Sequence, residues 1–120
     1  MTNAWTPADL RLLDAARELE IAVDGSRRWV PIWVVCTGGQ VYVRTWYRRD
    51  TGWFGAAVRT GRARVRVPGL EAEVAIEDLG AASPQATADV DAAYRTKYSG
   101  GTDAMVTAEA AATTLRLDPR

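Results

Sequence analysis

The stretch RWVPIWVVCTGGQVYVRTW, residues 28–46, decides the fold. β-branched and aromatic residues crowd both sides of Thr37-Gly38-Gly39-Gln40, which predicts a β-hairpin closed by a two-residue glycine turn. Such a turn sets Thr37 against Gln40, Cys36 against Val41, Val34 against Val43 and Ile32 against Thr45. Side chains alternate along a strand, so these residues share one face, and that face is suited to a core. The opposite face sets Val35 against Tyr42, Trp33 against Arg44 and Pro31 against Trp46, with Trp29 at its end. It presents tryptophan and arginine.

Upstream, Thr6-Pro7-Ala8-Asp9 has the form of a helix start, with Thr6 as N-cap and Pro7 at the first helical position. Leu10 and Leu13 continue it for about two turns before Leu19, Ile21 and Val23 switch to a period of two. Asp24-Gly25-Ser26 then turns the chain. Downstream, Asp50 or Thr51 caps a short helix through Trp53, Phe54, Ala57 and Val58 that ends near Gly61. A second hairpin follows, from Arg62 to Val67 and from Leu70 to Glu77 about a Pro68-Gly69 turn. Residues 86–98 have helical spacing and end before Gly100-Gly101, residues 104–112 suit helix or strand, and residues 113–117 suit a last strand. The expected class is α+β, in a single domain over 1–120.

Composition closes several routes. The 120 residues carry fifteen basic and fifteen acidic side chains, so no global charge favours nucleic acid or an anionic membrane surface. No apolar run approaches the ~20 residues of a membrane span and no targeting segment is visible, which sets the expectation of a cytoplasmic protein. Histidine is absent, which removes Ser-His-Asp and Cys-His catalysis and the commonest zinc and haem ligand. Cys36 is the single cysteine and sits among valines, the setting of a small buried hydrophobe. No metal site is expected.

Two arginine groups differ. Arg62, Arg64 and Arg66 project from one side of a strand, but the Pro68-Gly69 turn sets Arg64 against Glu73 and Arg66 against Glu71, neutralising the stripe. No carboxylate lies between Arg27 and Arg49, so Arg28, Arg44, Arg48 and Arg49 are expected to stay available beside Trp29, Trp33, Tyr42 and Trp46. Guanidinium forks suit phosphate or carboxylate, and the rings offer stacking area. Those tryptophans equally suit packing under a helix or a dimer interface. Tyr94, Lys97 and Tyr98 read as a solvated helix end, with a phenol or amine for a substrate as the sharper reading. Asp89, Asp91 and Asp103 read as surface charges.

The strings 28–35 and 41–45, Ala93-Tyr94-Arg95-Thr96-Lys97-Tyr98 and Thr113-Thr114-Leu115-Arg116-Leu117 resemble the bacterial DUF2255 family of unknown function. The order of elements also resembles the split β-barrel of flavin-binding proteins, including pyridoxamine-phosphate oxidases and deazaflavin-dependent reductases. That resemblance implies a small split β-barrel of about six mainly antiparallel strands with two or three helices. It implies a homodimer, FMN or deazaflavin F420 as cofactor, and Arg28, Arg44, Thr45, Arg48 and Arg49 as its binding residues. The expected function is flavin-dependent redox chemistry on a small organic molecule. The alternatives are a cofactor-independent pocket lined by Trp29, Trp33, Tyr42 and Trp46, or a dimeric structural module.

Overall fold

A computed structural model of the chain describes residues 4–45, 52–98 and 102–120. Among them are helices α1 (Pro7–Ala15), α2 (Gly52–Thr60), α3 (Pro84–Lys97) and the single turn α4 (Ala108–Ala111). The strands are β1 (Leu19–Val23), β2 (Val30–Ile32), β3 (Val35–Thr37), β4 (Gln40–Val43), β5 (Arg62–Val67), β6 (Leu70–Asp78) and β7 (Leu115–Pro119). They form one antiparallel sheet in the order β2-β1-β5-β6-β7-β4-β3. The first and last strands of that order are joined in sequence by Trp33 and Val34 alone. Three Cα steps span at most ~11 Å, so the two ends of the sheet must approach each other. The sheet curls into a half-barrel.

This split corrects the single long hairpin expected over residues 28–46. The Gly38-Gly39 turn holds, with both glycines at positive φ, and so do the pairs Val35↔Tyr42, Cys36↔Val41 and Thr37↔Gln40. Before Val35 the chain changes partner: Ile32 pairs with Leu19 and Val30 with Ile21 on β1. The expected pairs of Ile32 with Thr45 and Val34 with Val43 do not form. The physical reason is that Val34 finds side-chain partners instead of a strand. Its N–H donates to Tyr98 Oη (3.1 Å), and its carbonyl accepts from Lys97 Nζ (2.8 Å). The second hairpin forms in the expected register, with Arg64↔Glu73 and Arg66↔Glu71.

The helix starts follow their capping chemistry. Thr6 and Asp9 form a reciprocal capping box with Pro7 at the first turn of α1. Ser83 caps α3 with Pro84 behind it, so that helix begins earlier than the periodicity of residues 86–98 suggested. The segment left open at 104–112 is helical, a 3-10 turn at Asp103–Met105 followed by α4.

The barrel interior is filled by alternating strand residues, among them Leu19, Ile21, Val34, Val41, Val43, Val65, Val74, Leu115 and Leu117. Leu13 of α1, Phe54 of α2 and Trp5 close it. Trp5 stands before the N-cap of α1, and its indole N–H donates to the Leu117 carbonyl (2.8 Å). A second cluster lies on the outer side of β3 and β4, where Val90, Tyr94 and Tyr98 of the α3 region pack against Val35 with Met105. The amphipathic face of the first hairpin is therefore covered by α3.

Candidate functional site

Trp53, in the first turn of α2, separates two clefts. The larger, about 560 Å³, is walled by Pro31, Ile32, Trp33, Trp53, Ala104 and Met105, with Glu18, Arg44 and Thr45 at its border. The smaller, about 400 Å³, is lined by Ile21, Val23, Ser26, Arg28, Val30, Gly52, Trp53 and Ala56. Both volumes lie within the roughly 300 to 1,000 Å³ typical of small-molecule sites.

The larger cleft is aromatic and close to neutral. Trp33 sits at the junction between β2 and β3 and stacks face to face on Tyr98, with centroids 4.1 Å apart and planes 3° from parallel. Tyr98 is fixed in turn: its O–H donates to the Arg17 carbonyl (2.7 Å) while its oxygen accepts from the Val34 N–H. Burial pushes its phenol up to about 12, so it stays protonated at neutral pH. Trp33 is held as a rigid wall.

Arg44 borders this cleft, but its side chain is fully buried. Its Nε donates to Thr114 Oγ1 (2.9 Å), Nη1 to Asp91 Oδ1 (2.5 Å) and to the Met105 carbonyl (2.9 Å), and Nη2 to the Thr87 carbonyl (3.4 Å). Tyr94 lies under the guanidinium, 5.7 Å from centroid to Cζ. This corrects the expectation that the first hairpin has no acidic complement. Asp91 supplies it from α3, and Asp91 is thus not a free surface charge. Arg44 ties α3 to β4, β7 and the 3-10 turn. Thr45 is buried beside it, its N–H donating to Thr113 Oγ1 (3.0 Å).

The smaller cleft has the opposite electrical character. Arg28 is exposed at its edge, and no carboxylate lines it among the described residues. The first turn of α2 borders it and contains no acidic residue, so the described part of that helix end is positive.

Of the other expected site residues, Trp29 lies over the outer face of the sheet, 4.0 Å from Arg66 Cζ and 5.3 Å from Arg64 Cζ. It borders neither cleft. Tyr42 is half-buried and packs against the second cluster beneath α3. Trp46, Arg48, Arg49 and the cap at Asp50 or Thr51 lie outside the described residues, as does Gly100-Gly101. Arg66 is neutralised from the other side as well: it stands opposite Glu71 in register, and its Nε donates to Glu20 of β1 (3.1 Å). The solvated end read for α3 is corrected as well. Tyr98 is buried, and Lys97 Nζ donates to the carbonyls of Leu13 (3.1 Å) and Val34. Sequence reading missed Trp53 and Met105 as cleft walls, because both carry the ordinary apolar signature of a helix. Among the described residues, no three His, Cys, Asp or Glu side chains converge as metal ligands. No helix there is long and apolar enough to cross a membrane.

Comparison with known proteins agrees with this architecture. The family described as "Uncharacterized protein conserved in bacteria (DUF2255)" matches residues 9–117. No curated protein matches the sequence. Among solved structures, a conserved hypothetical protein from Mycobacterium tuberculosis aligns with TM-score 0.66 at 14% identity, over 99% of this chain and 82% of that one. A putative 5-nitroimidazole antibiotic resistance protein from Bacteroides thetaiotaomicron aligns with TM-score 0.65 at 8% identity, over 99% and 82%. A FAD-binding protein from Mesorhizobium loti aligns with TM-score 0.60 at 14% identity, over 100% and 94%. At these identities the likeness is one of fold.

Proposed function

We propose, for a chain that belongs to the DUF2255 family, a flavin- or deazaflavin-binding role in which the two clefts flanking Trp53 take the two ends of one cofactor. The observation that carries this reading is their division of labour. The larger cleft offers Trp33, Trp53, Ile32 and Met105 to a planar ring system, and the smaller offers Arg28 and the first turn of α2 to a phosphate. The residues present fit such a group at both ends. The fit differs from the expected ligand set in one respect: Arg44 acts as a positioning residue, since Asp91, Thr114, Thr87 and Met105 engage its guanidinium. A FAD-binding protein with the same fold adds support.

In this reading, Trp33 and Trp53 exclude water from the ring and fix its plane, and Thr45 and Arg44 hold the cleft wall in place. A bound flavin would supply hydride or electron transfer to a small organic molecule. Homodimerisation remains part of the proposal, with Arg48 and Arg49 as further phosphate ligands. The test is titration of the purified protein with FMN, riboflavin and deazaflavin F420, followed by flavin fluorescence and the visible spectrum. Binding of FMN more tightly than riboflavin is expected. Absence of binding by all three at about 50 µM, a concentration at which ordinary cofactor sites are occupied, rejects it.

The second reading is a cofactor-free pocket for an apolar small molecule. The observation that favours it is the same engagement of Arg44, which leaves the larger cleft without a free buried cation among the described residues. Quenching of tryptophan fluorescence by neutral aromatic compounds, with no response to any flavin, would select it.

A further inference from the structure

A third cleft of about 520 Å³ lies apart from Trp53, between α1, β3 and α3, with Asp14, Cys36, Thr37, Asp89, Thr96 and Lys97 on its wall. β3 is the last strand of the sheet, so among the described residues one of its edges meets no other strand. In a hairpin with a two-residue turn, Thr37 and Gln40 exchange hydrogen bonds, which makes Cys36 and Val41 the non-hydrogen-bonded pair. The pairing of Val41 with Leu117 of β7 agrees with that phase. Cys36 therefore turns its backbone N–H and C=O outward, along the same edge on which Val34 is already satisfied by Tyr98 and Lys97.

The side chains around that edge carry both signs. Lys97 spends two of its three N–H bonds on the Leu13 and Val34 carbonyls. Burial weakens its hydration and lowers its pKa, and the charge of Asp14 acts on it in the opposite direction. Asp14 at the end of α1 and Asp89 on α3 are exposed, and Asp89 also accepts from Gln85 Nε2 (2.9 Å). An outward N–H beside an ammonium suits a carboxylate. An outward C=O on a wall that also carries Asp14 and Asp89 suits an ammonium.

We propose that this cleft binds a free α-amino acid as its zwitterion. Its carboxylate is met by the Cys36 N–H and Lys97, and its ammonium by the Cys36 carbonyl with Asp14 and Asp89. The ligand pairs with β3 as a one-residue strand extension. The Cys36 thiol takes no part, because it points to α1, 4.0 Å from the Leu10 carbonyl. This site is independent of the flavin reading.

The experiment is an amide chemical-shift titration of the full chain with glycine, L-alanine and L-serine, with acetate and methylammonium as half-ligand controls. A saturable shift at Cys36 is expected for at least one amino acid, with each control binding about tenfold or more weakly. Lys97→Met is the direct variant, but it removes two structural hydrogen bonds. The exposed pair Asp14→Asn with Asp89→Asn avoids that problem and is expected to weaken binding about tenfold. No saturable shift at Cys36 up to about 50 mM, acetate binding as well as the amino acids, or unchanged affinity in the double variant overturns the proposal.

Discussion

The Arg44 guanidinium and the Asp91 carboxylate meet at 2.5 Å across 47 positions of sequence, with the arginine side chain wholly buried beneath α3. Removing one member of such a pair strands the other in a medium that solvates it poorly. Asp91→Ala is expected to destabilise the fold by about 2 to 3 kcal/mol, less than for a fully buried pair because Asp91 keeps some solvent contact. Urea denaturation of the variant beside the parent chain measures it, and a change under ~0.5 kcal/mol would mean that the pair contributes nothing.

In the two-cleft reading, Arg28 and Arg44 separate in function. Arg28→Ala is expected to reduce FMN affinity by about tenfold while leaving riboflavin affinity unchanged, since only FMN carries the phosphate. Parallel titrations give the ratio. Equal losses for both ligands would remove the phosphate role from Arg28.

Tyr98→Phe retains the stack under Trp33 but leaves the Val34 N–H without its acceptor. The expected cost is about 1 to 3 kcal/mol, the usual penalty of an orphaned buried donor. Hydrogen exchange resolves it locally, because the Val34 amide should lose protection before the amides of β5 and β6.

Above pH 9 the fold should weaken. Burial raises the Cys36 thiol from 9.0 to about 11 and the Tyr98 phenol from 10.0 to about 12, and it raises Tyr94 in the same direction. In each case the unfolded chain gives up its proton first, so stability is complete below the unfolded value and falls as pH rises through the folded one. Lys97 acts in the opposite sense, because its lowered value favours the folded chain as its ammonium deprotonates. Three groups oppose one, and the urea midpoint is expected to fall between about pH 8 and about pH 11. A flat or rising midpoint would contradict the balance.

Local chemistry made much of this fold legible. The Gly38-Gly39 and Pro68-Gly69 turns fix two registers, and the Thr6 cap and the alternation of Leu19, Ile21 and Val23 fix their own elements. The switch of partner at Trp33 was not legible, because β propensity runs unbroken from Ile32 to Thr37 and a change of neighbour leaves no mark in composition. Its cause lies 64 positions away, in the Tyr98 hydroxyl. The same distance effect hid the site. Arg44 looked unpartnered because Asp91 is remote in sequence, and Trp53 looked like helix core because a cleft wall and a core face have the same periodicity. Arg28 was visible as a candidate cation because no carboxylate lies between Arg27 and Arg49, and none lines its cleft among the described residues.

The two-residue junction at Trp33 and Val34 also bears on the order of assembly. Residues 30–37 supply both margins of the sheet, so this segment can settle only after β1 on one side and β4 on the other exist to receive it. β4 in turn borders β7, at the far end of the chain. Closure therefore draws on contacts of long sequence separation, the kind that folding makes late. During refolding, pulse-labelled amides of Val30 and Val35 should become protected after those of Val65 and Val74, making this seam the last piece of the barrel to be set.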